Sequence, residues 1–316
     1  MARMNMLVLE SEAEEQALPR SDRRYGHIKR ILKKGPGDEL LAGCVGGMVG
    51  SALIEADDGD VMRIRFRPER EAPALLPLVA LLGFPRPIQA GRIVKDLTSL
   101  GISRIALSGS ELGEKSYFQS DFFKNKEYRA ALVEGAEQAA NPRLPEVETF
   151  WTLKRALDCL GERYPTALRI CLDPYRAELG LGELIAEGAR RDGRVDAASP
   201  LIVAVGSERG WTEAELELFA ERGYAFARLG GRILKSETAA VAVAAIALAG
   251  LGYLKGATVA EAPPLRGLPW YFGDEALPQS QERAPKAIGR AGHLRRPIRR
   301  RIMVGVIADP AQGAEG

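Results

Sequence analysis

Cysteine and histidine are scarce in this chain of 316 residues, which contains three cysteines and two histidines. The cysteines, Cys44, Cys159 and Cys171, lie far apart, and none belongs to a C-x-x-C pair. Disulfide frameworks and zinc sites both need such residues in closely spaced sets. The sequence therefore predicts a reduced protein with neither a disulfide framework nor a metal site.

A secretory leader and a membrane-spanning run are also missing. The first residues do not form a basic stretch followed by an apolar one, which is the pattern of a signal peptide. The most apolar run, residues 239–254, is shorter than the roughly 20 residues that a transmembrane helix needs. We therefore expect a cytoplasmic location, no membrane partner, and a buried helix at residues 239–254.

The chain has no strong excess of one charge, because its formal net charge is only +2. Two segments are nevertheless basic: residues 20–34 contain seven lysines and arginines against one acid, and residues 290–301 contain six arginines and no acid. The first segment predicts a helix over residues 21–32 that presents Arg23, Arg24, His27 and Arg30. A solvated helix face is the ordinary interpretation, but charge of nearly one sign favours a phosphate-binding surface.

The pattern divides the chain into three parts. Residues 1–72 are rich in predicted strands, at 5–10, 39–45, 49–55 and 61–67, with a turn at the sequence DDGD. Residues 73–258 alternate strands with helices, and residues 259–316 form an irregular basic extension. The alternating part predicts a mostly parallel sheet with helices on both faces. Its predicted strands are 75–82, 102–107, 168–172, 201–205 and 224–229, and its predicted helices are 88–100, 125–140, 152–160, 181–190, one from Thr212 and one from about Glu237.

Two glycine-containing loops, at residues 206–212 and 230–238, follow two of these predicted strands. We expect those strands to be neighbours, and loops at the carboxyl ends of neighbouring strands are where open α/β sheets bind ligands. Thr212 with Glu215 predicts a capping box, and Ser236 is the predicted cap of the last helix. Neither loop has the G-x-G-x-x-G or P-loop pattern, which argues against NAD, ATP and the common Rossmann-type methyltransferases.

The run LGGRILKSETAA, residues 229–240, resembles the C-terminal motif of the SPOUT methyltransferases and is closest to their RsmE-type family. The run LIVAVGSERG, residues 201–210, is similar to that family's apolar strand and GPEGG loop. Glu137-Gln138 with RLPE at residues 143–146 resembles its EQ…RxPE segment. HIKRILKKGPGD, residues 27–38, resembles a helix and turn of its PUA-like domain. The resemblance covers approximately residues 6–254.

This resemblance implies an α/β fold: a SPOUT-type trefoil-knot methyltransferase domain preceded by a small PUA-like β-barrel domain that binds RNA. It implies S-adenosylmethionine as cofactor, methylation of N3 of a uridine in small-subunit (16S) ribosomal RNA, and a homodimer.

The resemblance also indicates the site residues. Arg232 would stabilise negative charge on the uracil or hold a phosphate, and Glu237 or Glu208 would be the base, although the first could simply begin a helix and the second could simply fix its loop. RNA contacts would come from Arg143, Lys115 and the face with Arg23, Arg24, His27 and Arg30. The expected cofactor-binding residues are Leu172, Asp173, Gly206, Ser207, Glu208, Gly210, Leu229, Gly230, Arg232, Ile233, Leu234 and Thr238.

The chain departs from the family pattern in the first loop, where Ser207 replaces a proline and Arg209 replaces a glycine. Arg209 could narrow the cofactor pocket or contact RNA. Three alternatives stay open: a non-catalytic RNA-binding protein of the SPOUT fold, a SPOUT methyltransferase for another nucleotide, and a nucleotide-using α/β enzyme. The missing phosphate motifs disfavour the last.

Overall fold

The computed structural model describes residues 6–191 and 195–254. The predicted extension at residues 259–316, with its arginine cluster, lies outside the described residues. The described part contains two sheets, which belong to one compact unit.

The N-terminal sheet has five strands in the order β1-β3-β4-β5-β2. All its pairings are antiparallel except that of β1 with β3. The predicted DDGD turn is confirmed, because Asp58 accepts hydrogen bonds from the backbone N–H groups of Asp60 and Val61. The prediction missed β2, in which Leu18 alone is buried, so that no apolar alternation marks it. The strands are β1 (Leu7–Leu9), β2 (Glu15–Pro19), β3 (Glu39–Cys44), β4 (Met48–Asp57) and β5 (Val61–Glu71).

The predicted basic helix is present as α1 (Arg23–His27), which continues into a π-helical turn at Ile28–Leu32. Asp22 is its N-cap and accepts a hydrogen bond from the backbone N–H of Arg24. The segment ends at Lys33, whose left-handed backbone (φ 54°) stops it before the glycines that follow.

The second sheet has seven strands, all parallel, in the order β10-β12-β9-β11-β6-β7-β8. Its strands are β6 (Leu76–Gly83), β7 (Ile102–Ser108), β8 (Glu146–Phe150), β9 (Leu168–Leu172), β10 (Leu179–Gly180), β11 (Leu201–Val205) and β12 (Ala225–Arg228). Its helices are α2 (Pro87–Ser99), α3 (Lys115–Phe118), α4 (Asp121–Lys124), α5 (Tyr128–Ala139), α6 (Leu153–Arg163), α7 (Leu181–Arg191), α8 (Glu213–Glu221) and α9 (Ser236–Gly250).

Helices cover both faces of this sheet, as predicted. Successive residues of a strand point to opposite faces, so Leu78 and Ala80 of β6 pack with α2, α5, α7 and α9. Val79 and Leu81 pack with α6 and α8. The apolar run at 239–254 is confirmed as a buried helix up to Gly250, since α9 lies in the first of these cores, whereas residues 251–254 lie beyond the helix and are partly exposed. No helix in the described ranges is long and apolar enough to cross a membrane.

Several local predictions were wrong. The two glycine loops do not follow neighbouring strands, because β9 lies between β11 and β12. The edge strand β8 and the short helix α3 were not predicted. The N-cap of α9 is Lys235, so Ser236 is the first helical residue and makes no capping hydrogen bond.

The two sheets meet at the end of α5. Met6 and Val8 of the N-terminal part pack with Val49, Ala72 and Ala136 in one apolar cluster. The backbone N–H of Met6 donates to the carbonyl of Glu137 at 3.2 Å. The expected boundary after residue 72 falls in the short connection between β5 and β6, and stays a prediction.

Candidate active site

A cavity of about 980 Å³ opens at the carboxyl ends of β12, β9 and β11. Because these three parallel strands are adjacent, the loops that follow them converge on one place, and the residues after β6 close a further side. This is the position in an open α/β sheet where ligands bind. The sequence thus predicted the correct end of the strands for the cavity, although it wrongly placed the two glycine loops after neighbouring strands.

The loop after β11 is compact and depends on glycine. The backbone N–H of Gly210 donates to the carbonyl of Ser207 at 2.9 Å, and Gly210 has a φ of 74°, which favours glycine. A Cβ atom on Gly83, at the end of β6, would lie 2.6 Å from the backbone nitrogen of Ser207. The loop therefore rests directly on the backbone of β6.

The capping box predicted for Thr212 and Glu215 is confirmed at the start of α8. Glu215 also accepts from the backbone N–H of Glu111 at 2.8 Å, and the Thr212 hydroxyl donates to the Glu111 carboxylate at 2.7 Å. These bonds fix the loop after β11 to the loop after β7.

Glu208 connects the loop after β11 to the residues after β6. Its Oε1 accepts from the backbone N–H of Arg86 at 3.2 Å, just before α2 begins. The Nε of Arg86 in turn donates to the hydroxyl of Tyr117 at 3.1 Å. The interpretation of Glu208 as a residue that fixes loops thus has a contact in its favour, and Glu208 also lines the cavity.

Asp173 shapes the loop after β9. Its Oδ1 accepts from the backbone N–H groups of Tyr175 and Arg176, at 2.9 and 2.7 Å, and its own N–H donates to the carbonyl of Ala227. The carboxylate therefore holds a turn of the chain beside β12 while it lines the cavity.

Four buried polar atoms of cavity residues have no hydrogen-bond partner among the described residues. They are Oε1 of Gln89, Oγ of Ser207, Nε1 of Trp211 and Oγ of Ser236. Burying a polar group without a partner costs roughly 1–3 kcal/mol, so such atoms are rare unless something binds them. Half of the eight such atoms among the described residues belong to this one cavity, which fits a site for a polar ligand.

Positive charge predominates in the cavity lining. Glu213 pairs with Arg176, and Arg228 donates to the carbonyl of Ala177 at 3.3 Å. Neither Arg209 nor Arg232 makes an ion pair or side-chain hydrogen bond with the described part of the chain. The acids of the lining are Asp173, Glu208 and Glu213, and its cations are Arg86, Arg176, Arg209, Arg228, Arg232 and Lys235.

Eleven of the twelve residues expected to bind the cofactor line this cavity. The exception is Thr238, which is exposed on the first turn of α9 and absent from the lining, whereas Ser236 and Ala239 face it. The eleven are Leu172, Asp173, Gly206, Ser207, Glu208, Gly210, Leu229, Gly230, Arg232, Ile233 and Leu234.

The structure places only one of the two candidate bases at the cavity. Glu208 is at the cavity, but Glu237 is not among its lining residues. Glu237 lies 3.9 Å from Arg92 of α2, on the first turn of α9. Its interpretation as a helix-start residue fits this position, and its role as a base stays a prediction.

The predicted RNA-binding face on α1 is largely occupied by structural contacts. His27 is only 3% exposed, and burial, with Arg23 nearby, lowers its pKa. Arg24 donates to Asp22 and to the carbonyl of Val8, while Arg23 pairs with Glu137 at 2.7 Å. His27 is therefore not accessible to RNA in this structure, the side chain of Arg24 is only 20% exposed, and Arg30 is exposed.

The other two expected RNA contacts differ from each other. Lys115 is exposed at the start of α3. Arg143 is half-buried and donates to the carbonyl of Ala72 at 3.2 Å, with Glu71 3.5 Å away. Arg143 thus joins the two sheets, a role that its sequence context did not reveal.

Comparison with known proteins identifies the family. Residues 71–248 match the family model described as an RNA methyltransferase domain. The chain is 38% identical over 256 residues to ribosomal RNA small subunit methyltransferase E of Treponema pallidum (strain Nichols), covering 78% of this chain and 91% of that protein. The chain belongs to the ribosomal RNA small subunit methyltransferase E family.

Other members agree with this placement. The Borreliella burgdorferi protein named ribosomal RNA small subunit methyltransferase E 1 is 28% identical over 77% of this chain and 97% of its own length. The methyltransferase E of Neisseria gonorrhoeae, solved with S-adenosyl methionine, has the same fold: TM-score 0.63 at 19% identity, over 80% of this chain and all of that one. The segment matched to the family domain contains every residue of the cavity lining.

Sequence reasoning missed several cavity residues of this family member, chiefly Arg86, Gln89 and Trp211. Arg86 and Gln89 follow β6, which becomes part of the site only because β6 pairs with β11. The capping box did mark the neighbourhood of Trp211, since Thr212 follows it directly.

Proposed function

We propose that this chain is an S-adenosylmethionine-dependent methyltransferase that methylates N3 of a uridine in small-subunit ribosomal RNA. The observation that carries the proposal is the cavity with four unpartnered buried polar atoms, which lies wholly inside the segment that matches the RNA methyltransferase domain. The names of the relatives supply the substrate class.

The cavity residues fit this cofactor. A volume of about 980 Å³ is at the upper end of the range for small-molecule sites. Ser207 and Ser236 carry hydroxyl groups and Trp211 an N–H that lack partners among the described residues, and small rotations of these side chains would present them to the amino-acid and ribose groups of a nucleoside-like ligand. Gly210 and Gly230, with φ of 74° and 82°, let the backbone approach closely. Arg209 lies at the lining without closing the cavity, so its presence is compatible with binding.

When bound, S-adenosylmethionine supplies an electrophilic methyl group. The protein must then deliver an extruded or unpaired uridine, because N3 is on the pairing edge of the base. Arg232 places positive charge at the cavity, where it stabilises the negative charge that the uracil oxygens gain as the N3 proton leaves. The free oxygen of Glu208 is the candidate acceptor of that proton, held in place by the bond to Arg86.

The RNA would reach this site over exposed cations. Lys115 and Arg30 are exposed, and the mouth of the cavity has further arginines such as Arg209. Phosphate contacts of this kind position an RNA and weaken with salt. His27 and Arg24 have no part in this surface, and Arg23 and Arg143 would contribute only through their exposed edges.

The finer architecture belongs to the same proposal. A trefoil knot formed by the loops after β9, β11 and β12 would hold the bent cofactor, with residues 1–72 acting as a PUA-like RNA-binding domain and residues 73–258 as the methyltransferase domain. A homodimer would complete the assembly. Mass measurement by light scattering tests the dimer.

The decisive experiment uses purified full-length protein, S-adenosylmethionine with a labelled methyl group, and small-subunit ribosomal RNA from a strain that lacks the enzyme. We expect one methyl group per RNA, mapped to N3 of a uridine. Methylation elsewhere would contradict the target. Calorimetry with S-adenosylmethionine separates an enzyme from a non-catalytic RNA-binding protein, which would bind RNA but no cofactor.

A further inference from the structure

Trp151 is a large aromatic residue that remains 62% exposed directly after β8. Its ring lies over that of Phe118, with centroids 3.8 Å apart and planes inclined by 35°. Phe118 is held in turn by an edge contact with the buried ring of Phe84 at 5.1 Å. One face of the indole is therefore supported by the core, and much of the rest is exposed.

The backbone beneath Trp151 is also fixed. The N–H of Gly109, after β7, donates to the carbonyl of Phe150 at 2.9 Å. A Cβ on Gly109 would lie 2.1 Å from the carbonyl oxygen of Trp151, so the two loops touch backbone to backbone. An exposed tryptophan in a fixed position loses little conformational entropy when a partner binds it.

Trp151 lies at the carboxyl ends of the strands, as the cavity does. It follows β8, and β6, which leads to Arg86 at the cavity, is the second strand along. With strands about 4.8 Å apart, the ends of β8 and β6 are separated by roughly 10 Å, a distance that a few nucleotides cover. Tyr117, next to Phe118, accepts the hydrogen bond from Arg86, so the aromatic group and the cavity wall are in direct contact.

The surroundings of Trp151 suit a nucleic acid. Lys115 on α3 and Arg155 on α6 are exposed, and neither side chain makes an ion pair within the described residues. The acid of the same turn, Glu114, accepts from the Ser116 hydroxyl. Single-stranded RNA is typically recognised by aromatic rings that stack on unpaired bases, with cations beside them for the phosphates.

We propose that Trp151, supported by Phe118, is a stacking platform for an unpaired base of the RNA substrate, a few nucleotides from the base that enters the cavity. This inference rests on the proposed function, because it assumes an RNA substrate at this edge of the sheet. It adds a requirement that the cavity does not impose: the RNA beside the target must be single-stranded.

The test compares wild type with Trp151→Ala, Trp151→Phe and Arg155→Ala, using a small-subunit ribosomal RNA fragment that contains the methylated uridine. We expect Trp151→Ala to weaken RNA binding by about 5- to 100-fold, to leave S-adenosylmethionine affinity unchanged, and to leave the salt dependence of RNA binding unchanged, since a stacked ring releases no counterions. Trp151→Phe should retain most of the affinity. Arg155→Ala should instead lower the salt slope by about one, while Lys154→Ala, which removes a cation already paired with Asp158, should change little.

Folding is checked by circular dichroism. A direct readout accompanies the affinities: RNA should quench tryptophan fluorescence in wild type and much less in Trp151→Phe. Unchanged RNA affinity and methylation rate in Trp151→Ala, with wild type active, would overturn the platform alone. A change of oligomeric state in Trp151→Ala without loss of RNA affinity would overturn it in favour of a contact between copies. Absence of RNA binding by wild type would overturn the platform and the proposed function together.

Discussion

Arg23 and Glu137 form an ion pair of 2.7 Å that joins α1 of the N-terminal part to α5 of the parallel-sheet part. The Glu137 side chain is 3% exposed and that of Arg23 is 47% exposed. Burial raises the pKa of Glu137, and Arg23 opposes this rise. The pair therefore neutralises a buried carboxylate at the junction of the two sheets.

We expect Arg23→Ala to destabilise the protein more than Glu137→Gln does. The first leaves a buried carboxylate without its cation and should cost about 1–3 kcal/mol, reduced from the value for fully buried pairs because Arg23 is half exposed. The second removes the charge and keeps the shape. Denaturant unfolding of the two variants and of the double variant measures this, and a larger loss in Glu137→Gln would contradict it.

The same pair predicts a dependence on pH. A carboxyl group whose folded pKa is raised contributes stability below its unfolded pKa and loses it as pH rises through the folded pKa. Removal of Arg23 raises that pKa further, so Arg23→Ala should lose more stability at pH 8 than at pH 5. In a Glu137→Gln background the effect of Arg23→Ala should depend much less on pH, because only the contribution of His27, whose pKa burial and Arg23 both lower, remains. Unfolding at both pH values measures this.

Gly83→Ala should damage the cavity. The new Cβ would lie 2.6 Å from the nitrogen of Ser207, so the loop after β11 must move. We expect at least a ten-fold loss of S-adenosylmethionine affinity by calorimetry and a loss of about 1–3 kcal/mol in stability. Gly91→Ala, in α2, is the matched control. Its Cβ would lie at an ordinary contact distance of 3.5 Å from Phe122, so this variant should increase the stability of the protein by about 0.5–1 kcal/mol.

Arg209→Gly tests the departure from the family loop. If Arg209 contacts an RNA phosphate, the variant should bind RNA more weakly, with a salt slope lower by about one, while cofactor affinity stays the same. A rise in cofactor affinity with RNA binding intact would show instead that Arg209 narrows the pocket.

Arg232→Ala should lower the methylation rate by about 100- to 1,000-fold, the usual loss when a group that stabilises transition-state charge is removed. Folding should be unchanged, and S-adenosylmethionine affinity is measured in parallel because Arg232 also lines the cavity. Lys154→Ala, which removes an exposed cation of α6 that is paired with Asp158, is the control. Full activity in Arg232→Ala would disprove the role of Arg232.

The sequence was most informative where the physics is local. Alternating strands and helices predicted the parallel sheet, and Thr212 with Glu215 marked the start of α8 because a capping box needs only one turn of chain. Strand order is not local, so β9 between β11 and β12 was missed, and with it the contribution of β6 to the cavity. The prediction that the basic face of α1 binds RNA had a related weakness. Charge in a sequence does not show that His27 is buried or that Glu137 forms an ion pair with Arg23.

The apolar cluster of Met6, Val8, Val49, Ala72 and Ala136 has a consequence for how a target is chosen. It packs the two sheets directly against each other. An RNA that touches both sheets must then match a separation set by the protein. This packed joint would restrict modification to a uridine at the matching distance from the second contact.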